Sequence, residues 1–460
     1  MAVFAIFIIA FGIRVGYVVF CYLWLGPAGL MGSDSHAFLL NAQYLAEGGS
    51  IFQVGTEGQA GFVLDTMPIA FLLMSWTLTP GAEPDPLAYI LVQCFIDAGT
   101  CILIGWLAAQ FSQGLFVPAA LLAAFNPTQI VVAGMVYTDT PFLFFVTAGL
   151  AFTVLWLKTP TLRVAVGVGF AWGLALMTRP FVLYWLLVLS TILFVSAAVM
   201  RRPGVARRLA HIVAMTVLVA AVAAPVALRN FDQFGTMRLS GQSGAHLLYW
   251  VVPLVREFKD GTPRAVSNRR LEKLYREWGD TPPPPGYFES SDRMTEIATS
   301  ELRELGPATV ALAWAQGATM NLLAPAATIA PPVTNLPRSG FYDTPGENLP
   351  DKIWNFLFRN DGAGYAQILL LAAMPMPVWI LFAVAGVYIA MFRRSGVAIP
   401  AFLLFLWVGF TLALNGPVFS PKYRLPLEPA WIVFVTITCT GLWWRFRRRS
   451  AEREVCGPSK

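Results

Sequence analysis

Acids and bases stand at the ends of apolar segments along this 460-residue chain. Asp34 lies in the stretch 29–49, GLMGSDSHAFLLNAQYLAEGG, just past the first apolar run. Ser33, Asp34 and Ser35 are helix N-cap types and Gly48 is a natural stop, so the stretch predicts a loop opening a short amphipathic helix. Phe38, Ala42 and Leu45 share its apolar face, while His36, Gln43 and Glu47 point elsewhere. Asp139 stands in Val136-Tyr137-Thr138-Asp139-Thr140-Pro141, a turn that opens a later apolar segment. Arg179 falls between Thr178 and Pro180, Arg229 and Asn230 close another segment, and Lys422 and Arg424 open the last one. A carboxylate so placed can cap a helix or take a proton from a hydroxyl; a Lys or Arg can snorkel to the interface or hold an anion. Residue type alone leaves each choice open.

The segments around these residues belong to a membrane protein. Hydrophobic residues make up 57% of the chain and charged residues 13%, with mean hydropathy +0.61, against about 25% charged in a soluble domain. The net charge of +6 comes from clusters flanking apolar runs, not from an aromatic-interleaved basic stripe, so nothing points to nucleic acid. Cysteines 21, 94, 101, 439 and 456 fit neither a zinc site nor a disulfide framework.

Spans of about 20 residues are expected near Ala2–Leu25, Leu87–Gln110, Leu115–Val132, Thr140–Leu157, Val164–Thr178, Phe181–Met200, Leu209–Leu228, Gln367–Phe392, Val397–Leu414 and Leu427–Trp444. The fold class is therefore all-α and polytopic, with about ten transmembrane helices. No signal-peptide pattern precedes the first run, which reads as a retained span. Short basic loops lie at Lys158/Arg163, Arg201-Arg202 with Arg207-Arg208, Arg393-Arg394 and the tail Arg445 to Arg449. The positive-inside rule puts all of them, and both termini, in the cytoplasm, provided that Gly306 to Ala330 does not cross. That segment, like the apolar piece Met67–Leu78, then reads as interfacial or re-entrant. Three regions follow: 1–228 with its first outer loop 26–86, a non-cytoplasmic section 229–364, and a terminal helical region 365–460. Asp34, Asp139, Arg179, Arg229, Lys422 and Arg424 all fall on the outer face. Asp97, in mid-span, needs a partner, and Arg14 on the first span supplies one.

In this order and topology the chain resembles the GT-C membrane glycosyltransferases, of the protein O-mannosyltransferase and aminoarabinose-transferase type. The resemblance rests on Asp34 heading the first outer loop, Thr138-Asp139-Thr140-Pro141, Thr178-Arg179-Pro180, Arg229-Asn230-Phe231-Asp232-Gln233-Phe234-Gly235 and Tyr423-Arg424-Leu425-Pro426. It implies a sugar moved from a polyprenyl-phosphate carrier to a hydroxyl on the non-cytoplasmic side of a bacterial inner membrane. It assigns the general base to Asp34 and leaves Asp139 to support the acceptor or orient the site. Arg229, Arg424, Lys422 and Arg179 become candidates for the lipid phosphate, with His36, Tyr44 and Asn230 as possible support. The partners it implies are the polyprenyl-linked donor, membrane lipids and an envelope glycan, glycolipid or protein acceptor, with an inverting single displacement. No nucleotide-binding loop is present, which agrees. Many members carry adjacent acids where this chain has Asp34 between two serines. One carboxylate holds a divalent ion poorly, so no cofactor is required and a metal role stays open. A transporter or lipid-linked-sugar flippase is the alternative; such proteins tend to show internal repeats, and none is evident here.

Overall fold

In the computed structural model, residues 1–51, 68–199, 204–338, 344–394 and 396–455 are described; Met67, Arg201, Arg202 and Cys456 lie outside them. The described residues are helical throughout, with no strand. The first half comprises α1 (Ala2–Leu25), α2 (Ser35–Ala46), α3 (Pro68–Ser75), α4 (Pro86–Ala109), α5 (Phe116–Ala124), α6 (Pro127–Ala133), α7 (Asp139–Lys158), α8 (Leu162–Thr178), α9 (Val182–Val199) and α10 (Val205–Phe234). Then come α11 (Gln242–His246), α12 (Val252–Asp260), α13 (Arg264–Glu277), α14 (Tyr287–Leu305), α15 (Pro307–Leu323), α16 (Pro331–Thr334) and α17 (Leu349–Phe358). The chain ends in α18 (Ala363–Ala373), α19 (Met376–Tyr388), α20 (Ala398–Asn415), α21 (Pro421–Arg424) and α22 (Glu428–Val455).

Seven helical segments among the described residues are long and apolar enough to cross a membrane; α18 and α19 run together as one of them. Two departures explain why the remaining expected spans look different. Asn126 caps α6, its side chain accepting from the Thr128 and Gln129 amides, and Pro127 follows at the first helical position. The chain therefore starts a new helix there, and α5 and α6 form one broken segment bent by 53°. The other two, α8 and α9, are shorter apolar helices. With the seven long segments they are consistent with the expected number of about ten. The chain is an integral membrane protein.

The bundle is centred on α7 and α22, which are mostly buried, while α1, α10 and the α18–α19 span present most of their surface outward, as lipid-facing helices do. Close packing here needs small residues, since apolar side chains gain little by leaving lipid for each other. At Gly386 a Cβ would come within 1.9 Å of the Phe434 carbonyl oxygen, so only glycine lets α19 and α22 touch at their backbones. Trp172, Trp185 and Trp407 fill the interior beside them, with ring centroids 5.0 to 6.1 Å apart. Trp407 also donates its indole N–H to the Pro426 carbonyl (2.7 Å), fixing the turn that enters α22.

The section 229–364 forms a helical cap with its own apolar cores. Leu248, Val252, Leu271, Tyr275, Ile297 and Ala298 pack together, and a second cluster joins Val251, Val255, Leu305 and Ala313 to Val418, with Tyr423 against it. α15, at 17 residues, lies at the short end of the range for a span. It runs beside the end of α20, where Trp314 donates to the Ala413 carbonyl (3.1 Å) and Asn321 to the Val418 carbonyl (2.9 Å).

Arg14 and Asp97 are paired as expected, fully buried between α1 and α4. The Arg14 guanidinium also donates to the carbonyls of Ala10, Ala123 and Ala124 and to the Cys101 sulfur at 3.0 to 3.3 Å. Removing one partner strands a buried charge, which costs far more than removing both. Asp97→Ala is expected to destabilise the protein by about 3–5 kcal/mol, and Arg14→Leu with Asp97→Leu to recover most of it. Thermal unfolding in detergent measures both, and an unchanged melting point in Asp97→Ala would rule the role out.

Candidate functional site

The loop after α1 is stitched to the turn before α7. The Val136 amide donates to the Leu30 carbonyl (3.1 Å), and the Ser35 hydroxyl donates to the Val136 carbonyl (2.8 Å) while accepting from the Gly32 amide (2.7 Å). From α4, the Tyr89 hydroxyl and Gln93 amide donate to the carbonyls of Tyr137 (2.9 Å) and Met135 (2.7 Å). A Cβ at Gly32 would sit 2.0 Å from the Tyr137 hydroxyl, so the glycine admits that ring beside the loop. These bonds bring Asp34 and Asp139 to the same end of the bundle.

Asp34 occupies the N-cap position of α2, yet its side chain makes no cap hydrogen bond. It accepts instead from Lys422 Nζ at 2.6 Å and from the Ser33 hydroxyl at 3.1 Å. Asp139, in the first turn of α7 and buried, pairs with Arg179 Nη2 at 2.7 Å. Arg179 is the C-cap of α8, in extended conformation, with its guanidinium over the Phe142 ring. The two pairs sense each other: Asp139 lies within electrostatic reach of Lys422, and Arg179 of Asp34. The result is two acids alternating with two bases. Tyr137 and Tyr423 flank the Lys422 ammonium, 5.1 and 5.5 Å from their ring centroids. Sequence reasoning passed over both tyrosines, although each stands inside a motif it quoted.

Burial pushes the Asp34 carboxyl up, but the Lys422 ammonium beside it, the Ser33 hydroxyl and the more distant Arg179 outweigh that, leaving it below the ordinary 3.8. The group is ionised throughout the neutral range.

The other expected residues lie elsewhere. Arg229 is buried near the end of α10; its Nε and Nη2 donate to the Asn230 side-chain oxygen (2.9 and 2.7 Å) and its Nη1 to the Ile51 carbonyl (2.8 Å). Asn230 in turn donates to the Arg238 carbonyl at 2.6 Å. Ile51 and Asp34 flank α2, whose 12 residues measure about 18 Å at 1.5 Å each. Arg229 is thus engaged with the far end of the first loop and not with the charge quartet. Arg424 is buried and donates to Glu428, Thr128, Leu322 and Ala324. His36 is exposed on α2, and the Tyr44 ring packs over Gly49. Among the described residues no group of three or more His, Cys, Asp or Glu is arranged for a metal ion.

Solved structures share this architecture. Archaeal oligosaccharyltransferase AglB from Archaeoglobus fulgidus, solved with an inhibitory peptide and a dolichol-phosphate, matches 100% of this chain and 52% of its own, at 14% identity and TM-score 0.54. The same enzyme tethered to an acceptor peptide containing the NVT sequon matches 99% and 51%, at 13% identity and TM-score 0.55. ArnT from Cupriavidus metallidurans bound to undecaprenyl phosphate matches 92% and 77%, at 15% identity and TM-score 0.38, too low to carry an argument. The chain spans about half the length of AglB. No family model and no curated protein matches the sequence. Likeness at these identities speaks to the fold: the chain shares the fold of AglB over its described helices.

The Asp34 carboxyl titrates lower in the folded than in the unfolded chain, so its contribution to stability is present above the unfolded value of 3.8 and disappears as pH falls through the folded one. The difference in melting temperature between the wild type and Asp34→Asn is therefore expected to be constant from pH 7 to about pH 4 and to close below it. In a Lys422→Met background burial prevails, and the same difference is expected to change nearer neutrality. Identical profiles in the two backgrounds would refute the pairing.

Proposed function

We propose that this protein is a glycosyltransferase that moves a sugar from a polyprenyl-phosphate donor to an acceptor hydroxyl on the non-cytoplasmic side of a bacterial inner membrane. The observation that carries the reading is the Asp34–Lys422 pair: an ionised, half-exposed carboxylate held by an ammonium and not by helix backbone. The fold shared with AglB supports it by analogy, since that enzyme has been solved with a dolichol-phosphate and with an acceptor peptide.

The donor phosphate sits against Lys422 and Arg179, drawing Lys422 away from Asp34. The acceptor hydroxyl hydrogen-bonds to the freed Asp34 carboxylate and gives up its proton as its oxygen attacks the anomeric carbon. The bond from that carbon to the phosphate oxygen breaks, and its electron pair leaves with the polyprenyl phosphate. Lys422 and Arg179 balance the charge that develops there. Asp34 and Asp139 face the oxocarbenium-like centre, and the single displacement inverts it. Asp139 also holds Arg179 in place. Arg229 and Asn230 brace the end of α2 away from Asp34, where Tyr44 also packs, and His36 stands on the surface of α2. The acceptor is an envelope glycolipid, polysaccharide or protein, met by the outer section 229–364. The basic ends of α7, α10 and the α18–α19 span face the cytoplasm with both termini.

Asp34→Asn preserves shape and removes the base. In proteoliposomes carrying polyprenyl-phosphate-linked sugar, it is expected to fold normally and to lower transfer roughly 100- to 10,000-fold. Wild-type transfer by this variant would refute the assignment. Label that crosses the bilayer without joining an acceptor would point instead to a flippase.

A further inference from the structure

We propose that Glu428 is a positioning residue that, with Arg424, forms a buried brace aiming the Lys422 ammonium at Asp34. The inference rests on the reading of Asp34 and Lys422 as transfer machinery. Lys422 is carried by α21, a helix of four residues. A single turn does not hold its own geometry, and Pro421 and Pro426 on either side supply no amide hydrogen. Its orientation must come from tertiary bonds.

Those bonds converge on Arg424 and Glu428. The Glu428 carboxylate, 1% exposed at the head of α22, accepts Arg424 Nε on one oxygen (2.8 Å) and Asn126 Nδ2 on the other (3.0 Å). Arg424 Nη2 donates to the Thr128 hydroxyl (2.6 Å), and Nη1 to the carbonyls of Leu322 (3.2 Å) and Ala324 (3.0 Å) that end α15. One ion pair therefore ties α21 to the α5–α6 bend, to α15 and to α22. The stretch before it is pinned separately: Asn321 accepts from the Ser420 amide (3.1 Å), and Asn415 donates to the Tyr423 carbonyl (3.1 Å). A buried ion pair adds little stability compared with apolar packing, whereas removing one member leaves the other unmatched. What this one does contribute is a fixed rotation of the turn, two residues from Lys422. Arg424 then reaches the donor phosphate only through Lys422.

The test uses the full chain in detergent or proteoliposomes. A carbodiimide activates a carboxylate so that an adjacent amine displaces it, forming an amide and releasing a urea; the Asp34–Lys422 contact makes this a zero-length cross-link visible by peptide mass spectrometry. Glu428→Gln keeps the shape of the side chain and removes its charge. It is expected to fold, to lose the Asp34–Lys422 cross-link, and to lower transfer about 100-fold, the effect of roughly 1 Å of misplacement. The acid limb of its transfer profile moves toward neutral pH, because Asp34 no longer faces an ammonium. Where Glu428→Gln does not fold, Thr128→Val removes one acceptor of Arg424 alone and is expected to move the same readouts in the same direction. A folded variant with wild-type cross-linking overturns the brace, whatever its transfer rate. Loss of the cross-link with transfer unchanged supports the brace and overturns the catalytic reading of Lys422.

Discussion

A carboxylate and an ammonium 388 residues apart in sequence meet at 2.6 Å at one end of this bundle. Charges near a bilayer must be matched or exposed to water, and here matching them dictates where several segments end. The loop after α1 delivers Asp34, the turn before α7 delivers Asp139, the end of α8 delivers Arg179, and the turn before α22 delivers Lys422. Each arrives on a different segment, so the quartet exists only when the loop, the two turns and the end of α8 are in register. The hydrogen bonds of Ser35, Tyr89 and Gln93 to the 135–137 backbone serve that register.

The section 229–364 bears on the same place through its packing. Its second apolar cluster includes Val418 and packs against Tyr423, the residue beside Lys422. The cap and the charge quartet therefore share a wall. The section can shape what approaches the site, because its core is built partly from the turn that carries Lys422.

How much was legible in the sequence differs by residue. Apolar length pointed to about ten spans, because the thickness of a bilayer sets the length of a crossing, and the apolar helices are consistent with that number. The Asn126-Pro127 cap was readable in the same way, but a continuous apolar run hid the bend it causes. Asp34 has the residue type and position of a helix cap; only coordinates reveal that its oxygens turn to Lys422 and that Ser35 satisfies the loop amide instead. Arg229 and Arg424 were grouped with Lys422 because all are cations on one face. A guanidinium with several donors can be wholly engaged by backbone carbonyls and an amide or carboxylate oxygen, and nothing in residue identity announces that. Glu428 was invisible for the converse reason: a lone acid opening a helix reads as a favourable dipole contact.

The Arg14–Asp97 pair has a consequence for how the protein reaches its membrane. α1 carries a guanidinium at its centre, and the acid paired with it lies 83 residues later, on α4. An arginine at mid-helix costs about 2.5–3.5 kcal/mol on insertion scales, so until it is paired α1 sits in lipid at a cost that its own apolar residues must cover. The buried position of Arg14 on α1 is therefore complete only once α4 is in place to supply that partner.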